Sequence, residues 1–304
     1  MLSLSLILMM TAPECRAQSD VLTRLADVVE AQYVVAADAR ELASQLRTWR
    51  EDGRYRSVCG NEDGFIDRLN RDLDMFDGHF HFEKAGAKDG DDWLMAWRAG
   101  AASANAGVRE VSVLEGNIGY LRIASFYPWD VAREKYRAAW QLISDTDGLI
   151  IDLRLNGGGD DMPAAQIVRS ALASEIRWVQ SIEKRSGIVE EMLPEAELPA
   201  LPKDLPIIVI IDRRSASAAE YVAYSLQAEG RARVVGSRSG GAANMFGEPV
   251  PLGSDYQVVI PNARPVNRAR GDNWEGTGVR PDVAGGDDPL FVARMMLSKP
   301  PAGD

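Results

Sequence analysis

Five β-branched residues in a row, Ile207-Ile208-Val209-Ile210-Ile211, run into the polar break Asp212-Arg213-Arg214 and then into Ser215-Ala216-Ser217-Ala218-Ala219-Glu220. The stretch Tyr221-Val222-Ala223-Tyr224-Ser225-Leu226 that follows has helical spacing, so the pattern predicts a buried strand, a tight turn and a helix. A serine in the first turn of such a helix sits where unpaired backbone N–H groups and the positive end of the helix dipole converge. An oxyanion formed beside it is stabilised there. Ser217 is the candidate nucleophile on that ground. The same stretch leaves open that Ser215 or Ser217 simply caps the helix.

A second place repeats the layout. Gly148-Leu149-Ile150-Ile151-Asp152-Leu153-Arg154 reads as a strand, Leu155-Asn156-Gly157-Gly158-Gly159-Asp160 as a glycine loop, and residues 162–173 as a helix. Three successive glycines let backbone N–H groups approach a ligand without interference from Cβ, which suits a phosphate or an oxyanion. No Lys-Ser/Thr pair follows and no second spaced glycine fingerprint is present, which weakens the nucleotide reading. A plain glycine turn is the remaining alternative. After the turn-forming pair Asp77-Gly78, His79 and His81 alternate with Phe80 and Phe82, which predicts a short strand with both histidines on one face. These are the chain's two histidines, and its cysteines are not clustered, so neither a metal nor another cofactor is expected.

The elements that must position these residues follow from the rest of the pattern. Apolar residues recur at spacings of three and four through residues 20–76, which predicts a small helical bundle. Residues 84–107 are rich in Ala, Gly and Asp and read as a linker with a short amphipathic piece around Trp93. A hairpin pairs residues 108–114 with 118–123 across Glu115-Gly116-Asn117. Residues 130–144 read as a helix, 178–193 as an exposed hairpin and 194–206 as a proline-bearing connection. Strands at 234–236 and 258–260 complete an alternation of strands and helices that indicates an α/β core.

The bulk numbers narrow the partners. The 304 residues carry a formal net charge of −11 and no basic block, which argues against nucleic acid or an anionic membrane surface. The apolar run from Met1 is too short to span a bilayer and is followed by Cys15-Arg16-Ala17. It reads as a secretory signal cut after Ala17, which places the protein outside the cell or in the periplasm. Such a cut removes Cys15 and predicts that Cys59 stays unpaired as a small buried hydrophobe. The expected division is a signal at 1–17, a helical domain at 18–83, the linker at 84–107 and the main domain at 108–298.

Four blocks taken together carry a resemblance. They are the stretch from Gly148 to Gly159, Ser215-Ala216-Ser217-Ala218-Ala219-Glu220, Val234-Val235-Gly236 with Gly240-Gly241-Ala242, and Glu275-Gly276-Thr277-Gly278-Val279-Arg280-Pro281-Asp282-Val283. In this order they resemble the tail-specific, or C-terminal processing, serine peptidase family. The helices ending in Asp77-Gly78-His79 resemble the branch that includes the tricorn protease core and the modules of interphotoreceptor retinoid-binding protein. No PDZ-like insertion is apparent between His81 and the strand at Val108. The resemblance implies a crotonase-like β/α core preceded by a small N-terminal helical bundle.

It also implies roles. Processing peptidases use a serine with a lysine from the glycine segment after the nucleophile helix, yet here that segment reads Ser239-Gly240-Gly241-Ala242-Ala243-Asn244. The only lysine after Ser217 is Lys299, so a Ser–Lys dyad is disfavoured. The tricorn-like branch uses Ser–His–Glu, and His79 and Glu275 occupy the matching positions. His79 would then take the proton of Ser217, and Glu275 would hold the imidazole and stabilise the imidazolium. The N–H groups of Ala218 and of Gly158 or Gly159 would form the oxyanion hole. Gly78 stands where that branch carries a further serine. The implied substrate is a peptide or unfolded protein tail. A catalytically silent module that binds a lipid-like ligand, as in the retinoid-binding relatives, is the alternative, and an acyl-CoA enzyme is weaker because no basic patch is present for the nucleotide.

Overall fold

The structure is a computed structural model that describes residues 13–86 and 89–298. In chain order the chain forms α1 (Pro13–Gln32), α2 (Ala36–Glu51), α3 (Glu62–Leu73), β1 (His81–Lys84), α4 (Asp89–Gly100), β2 (Val108–Leu114) and β3 (Ile118–Ile123). There follow α5 (Trp129–Ile143), β4 (Gly148–Asp152), α6 (Asp161–Ala171), β5 (Trp178–Lys184), β6 (Gly187–Met192), β7 (Ile207–Ile211), α7 (Ala218–Ala228) and β8 (Arg233–Gly236). The last elements are β9 (Met245–Phe246), β10 (Val250–Pro251), β11 (Tyr256–Val259), β12 (Pro261–Asn267), β13 (Val283–Ala284) and α8 (Pro289–Leu297). They divide into two compact units. The first takes the described residues up to 86 with Ile182–Ile188 and Asn244–Arg264, and the second takes Asp89–Ser181, Val189–Ala243 and the residues from Pro265 onward.

The second unit is built on a six-stranded sheet of order β13-β8-β7-β4-β3-β2. Its strands run parallel except β2, which pairs antiparallel with β3 through the predicted hairpin. Gly116 and Asn117 in that turn both have positive φ, the geometry a tight hairpin turn requires. The apolar runs are explained by burial on both faces, which is what a parallel sheet covered by helices demands. On one face Leu121, Ile151, Val209 and Val234 pack with residues of α5, α6 and α7, among them Trp140, Ile167 and Val222. On the other, Tyr120, Ile150, Ile208, Ile210 and Val235 pack with Ala293 of α8. Each such fully buried aliphatic side chain contributes on the order of 1.5–3 kcal/mol relative to exposure.

The first unit packs α1, α2 and α3 against a three-stranded antiparallel sheet of order β1-β11-β10. Leu25, Leu42, Leu46, Phe65 and Leu69 from the helices meet Phe82, Tyr256 and Val258 from the strands in one core. Edge-to-face contacts of Phe65 with Tyr55 and Phe82 and the stacked pair Phe82 and Tyr256 fix its centre.

Three expectations change. The short strand expected to carry both histidines begins at His81, and His79 lies in the turn before it. A two-residue alternation cannot distinguish a strand from the turn that leads into one. The region read as a linker contains the helix α4. Cys59, expected to be unpaired, is disulfide-bonded. Residues 1–12 of the expected signal and the tail from Lys299 lie outside the described residues, and the expected cut after Ala17 falls inside α1. Among the described residues no helix is long and apolar enough to cross a membrane.

Candidate active site

β4 and β7 are neighbouring parallel strands in register, Ile151 beside Val209 and Asp152 beside Ile210. Their carboxyl ends therefore release two loops side by side, the place where open parallel sheets build their sites. The glycine loop leaves β4 and the Ser217 turn leaves β7. The loops are laced together: Ala216 N–H donates to the Asn156 carbonyl at 2.9 Å, and the Ser215 hydroxyl donates to the Leu153 carbonyl at 2.8 Å. Ser215 Oγ also accepts the Asp212 N–H at 2.9 Å, and the residue is fully buried. Its hydroxyl is thus committed to structure.

Ser217 is the N-cap of α7 and has φ 53° and ψ −121°. For a residue with a Cβ this region costs about 1–3 kcal/mol and persists only where the surroundings enforce it. Such a strained strand-to-helix turn lifts a side chain out of the loop, as in nucleophile elbows. Gly158 makes the turn possible: a Cβ on it would lie 2.7 Å from Ser217 Cβ and 3.2 Å from Ala218 N. Gly158 itself has φ +102°. Its N–H donates to Asn156 Oδ1 at 2.8 Å. Among the described residues no acceptor receives the N–H of Ala218 or of Gly159. For Ala218 this is the ordinary state of a first-turn donor.

Two carboxylates brace the loop after β8. The fully buried Glu220 accepts the Ser217 N–H at 2.9 Å, the Gly241 N–H at 2.7 Å and the Ala242 N–H at 2.8 Å. Glu275 accepts the Ala243 N–H at 2.7 Å through Oε2, while its own N–H donates to Asn273 Oδ1 at 2.9 Å. Gly276 N–H donates to the Gly241 carbonyl at 2.8 Å, so the segment around Glu275 and the 239–243 loop share a ladder. Ser217, Ala218, Gly158, Gly159 and Glu275 all belong to the second unit.

His79 belongs to the first unit and is held by a residue whose role the sequence did not reveal. Asp77 Oδ1 accepts the His79 backbone N–H at 2.9 Å and lies 3.0 Å from His79 Nδ1. Its other oxygen accepts Asn244 Nδ2 at 2.8 Å and the Tyr33 hydroxyl at 3.3 Å. Burial pushes the Asp77 carboxyl up, but the bonds from the His79 ring, from Asn244 and from the His79 N–H outweigh it and hold the group below the ordinary aspartate range. The Phe246 ring lies 6.1 Å from that of His79. His81 is exposed and sits 3.4 Å from Glu83. In the sequence Asp77 is half of a turn pair, and the signal for its further part is an acceptor two residues before a histidine.

Residues 117–284, more than half of the chain, match the sequence model of peptidase family S41. The chain belongs to peptidase family S41. It is 33% identical over 176 residues to the carboxy-terminal-processing protease of Bartonella bacilliformis, covering 56% of this chain and 39% of that protein. It is 27% identical over 201 residues to the carboxy-terminal processing protease CtpB of Bacillus subtilis, again covering 39% of that protein. The chain thus spans about two fifths of the length of these curated relatives. The solved structure of a photosystem II D1 C-terminal processing protease shares the fold, with a TM-score of 0.56 at 18% identity over 90% of this chain and 94% of that one. Membership and fold agree with the resemblance carried by the four motif blocks, including an α/β core after a helical region.

Proposed function

We propose that this S41 chain is a serine peptidase that cleaves peptides or unfolded protein tails through an acyl-enzyme, with Ser217 as nucleophile, His79 as base and Asp77 as the carboxylate that holds the imidazole at Nδ1, while Glu275, to which the resemblance gives that part, braces the loop at Ala243. The observation that carries the reading is the strained Ser217 turn, closed against Gly158 with the first-turn N–H of Ala218 left without an acceptor. In the reaction Ser217 Oγ bonds to the scissile carbonyl carbon and His79 takes the hydroxyl proton. The resulting oxyanion accepts the N–H groups of Ala218 and Gly159, while Gly158, whose own N–H goes to Asn156, supplies the room. Collapse breaks the C–N bond as His79 returns the proton to the leaving amine. Water, deprotonated by the same imidazole, then bonds to the acyl carbon, the bond from that carbon to Ser217 Oγ breaks, and the imidazolium returns the proton to Oγ as the acid product leaves.

Asp77 at Nδ1 favours the tautomer with its proton on that nitrogen, and in this tautomer Nε2 carries the lone pair that a base for Ser217 needs. A location outside the cytosol is part of the reading and is supported by the disulfide at Cys59, since such bonds persist in oxidising compartments.

The test is acylation by a fluorophosphonate probe, which reacts with activated serines. The wild-type chain should label and Ser217→Ala should not. Ser215→Ala should label within about tenfold of wild type while losing about 1–3 kcal/mol of stability, because its buried hydrogen bonds go. Labelling of Ser217→Ala at the wild-type rate would remove Ser217 from the reaction.

A further inference from the structure

Glu220 is used more fully than a helix cap requires. In a capping box the third residue of the helix needs one oxygen, for the N–H of the capping residue. Glu220 Oε2 provides that bond to Ser217 at 2.9 Å and takes the Ala242 N–H at 2.8 Å as well. Oε1 takes the Gly241 N–H at 2.7 Å and the Ser239 hydroxyl at 2.5 Å. Ser239 Oγ in turn accepts the Val279 N–H at 2.6 Å. The carboxylate is fully buried, and among the described residues no cation pairs with it. An unpaired buried charge is costly unless hydrogen bonds replace its hydration, and four donors on two oxygens do so.

The four donors come from two places that the reaction uses together. One is the turn that presents Ser217 in its left-handed conformation. The other is the 239–242 stretch, which continues into Ala243, the donor to Glu275. A residue in a strained conformation relaxes when its restraint is lost, and relaxation here would turn the Ser217 side chain away from Gly158 and change the aim of the Ala218 N–H. We propose that Glu220 is a positioning residue for acylation, holding the Ser217 turn and the Glu275-bearing loop in one fixed relation through its four accepted hydrogen bonds. The proposal rests on the peptidase reading. Glu220 touches no reacting atom; it acts through the backbone of Ser217 and of the loop.

Glu220→Gln tests it, because the amide keeps the shape but must turn its NH₂ toward one of the two donor pairs. In the folded variant, fluorophosphonate acylation should fall by on the order of 10²-fold. On a peptide substrate kcat should fall by a similar factor with KM changed by less than about threefold, since ground-state binding is not what Glu220 serves. The amides of Ser217, Gly241 and Ala242 should lose hydrogen-exchange protection. If Glu220→Gln does not fold, Ser239→Ala removes a single donor and should still lower kcat by about tenfold at unchanged KM. A folded Glu220→Gln or Ser239→Ala protein with wild-type kcat overturns the proposal while the peptidase reading stands. A wild-type chain that does not label overturns the peptidase reading and this one with it.

Discussion

A free imidazole divides its time between two tautomers and many orientations, so His79 can serve as a base only if one ring nitrogen is held. Asp77 does this with a single oxygen that binds both the backbone N–H and Nδ1, fixing ring and main chain as a unit. Asn244 and Tyr33 on the other oxygen keep the carboxylate from rotating. In Asp77→Asn the amide either keeps its oxygen toward His79 and turns its NH₂ onto the Asn244 donor, or turns its NH₂ toward His79, where it costs the backbone N–H its acceptor and selects the tautomer with its proton on Nε2. That ring cannot take the Ser217 proton. Asp77→Asn should therefore lower kcat by on the order of 10²- to 10⁴-fold with the fold intact. His81→Ala, at an exposed position beside Glu83, should cost little. Wild-type kcat in Asp77→Asn would show that another group orients the ring.

At the scale of elements, two loops meet because two parallel strands end together, and that much could be read from two strand–loop–helix patterns in the chain. The strand at 207–211, the helix after Ser217 and the glycine loop were legible because β-branched runs and small-residue turns have few other uses. The partners within the site were not. Nothing in the spacing says that Asn156 caps Gly158, that Ser215 is spent on Leu153, or that Glu220 reaches Gly241, since these bonds depend on how loops from different strands fold over one another. The surroundings of His79 are equally hidden, since Asp77, which holds it, is itself held by Asn244, 167 positions away from Asp77 in sequence. The closeness of the two loops gives a direct prediction. Gly158→Ala puts a methyl group 2.7 Å from Ser217 Cβ at a φ of +102°, so either the glycine loop or the nucleophile turn must move. Acylation should fall by at least about 10²-fold, with a stability loss of about 1–3 kcal/mol in a thermal melt. Gly157→Ala, where an added Cβ meets nothing within 4 Å, is the control and should label nearly as wild type.

At the scale of the whole molecule, two carboxyls of the first unit, Asp72 and Asp77, and two of the second, Glu220 and Asp160, are shifted in opposite directions. In the first unit the Arg54 guanidinium fork, with both of its bonds to Asp72 at 2.7 Å, holds that carboxyl below its ordinary value of 3.8, and Asp77 is held below 3.8 as well. In the second unit burial raises Glu220 and Asp160, and hydrogen bonds offset only part of the shift. A carboxyl with a depressed folded value contributes stability that is present above its unfolded value and is lost as pH falls through the folded one. A carboxyl with a raised folded value contributes below its unfolded value and loses that contribution as pH rises through the folded one. Acidification from neutrality to below pH 3.8 should therefore weaken the first unit more than the second. Hydrogen exchange followed along a pH series should show α2 and α3 losing protection before β4 and β7. Asp72→Asn removes one of the two depressed groups, so it should lower stability at neutral pH and flatten the loss on acidification, whereas Glu220→Gln should leave the acid response of α2 and α3 unchanged. Earlier loss of β4 and β7, or an Asp72→Asn protein with the acid dependence of wild type, would contradict the assignment of the acid response to these carboxylates.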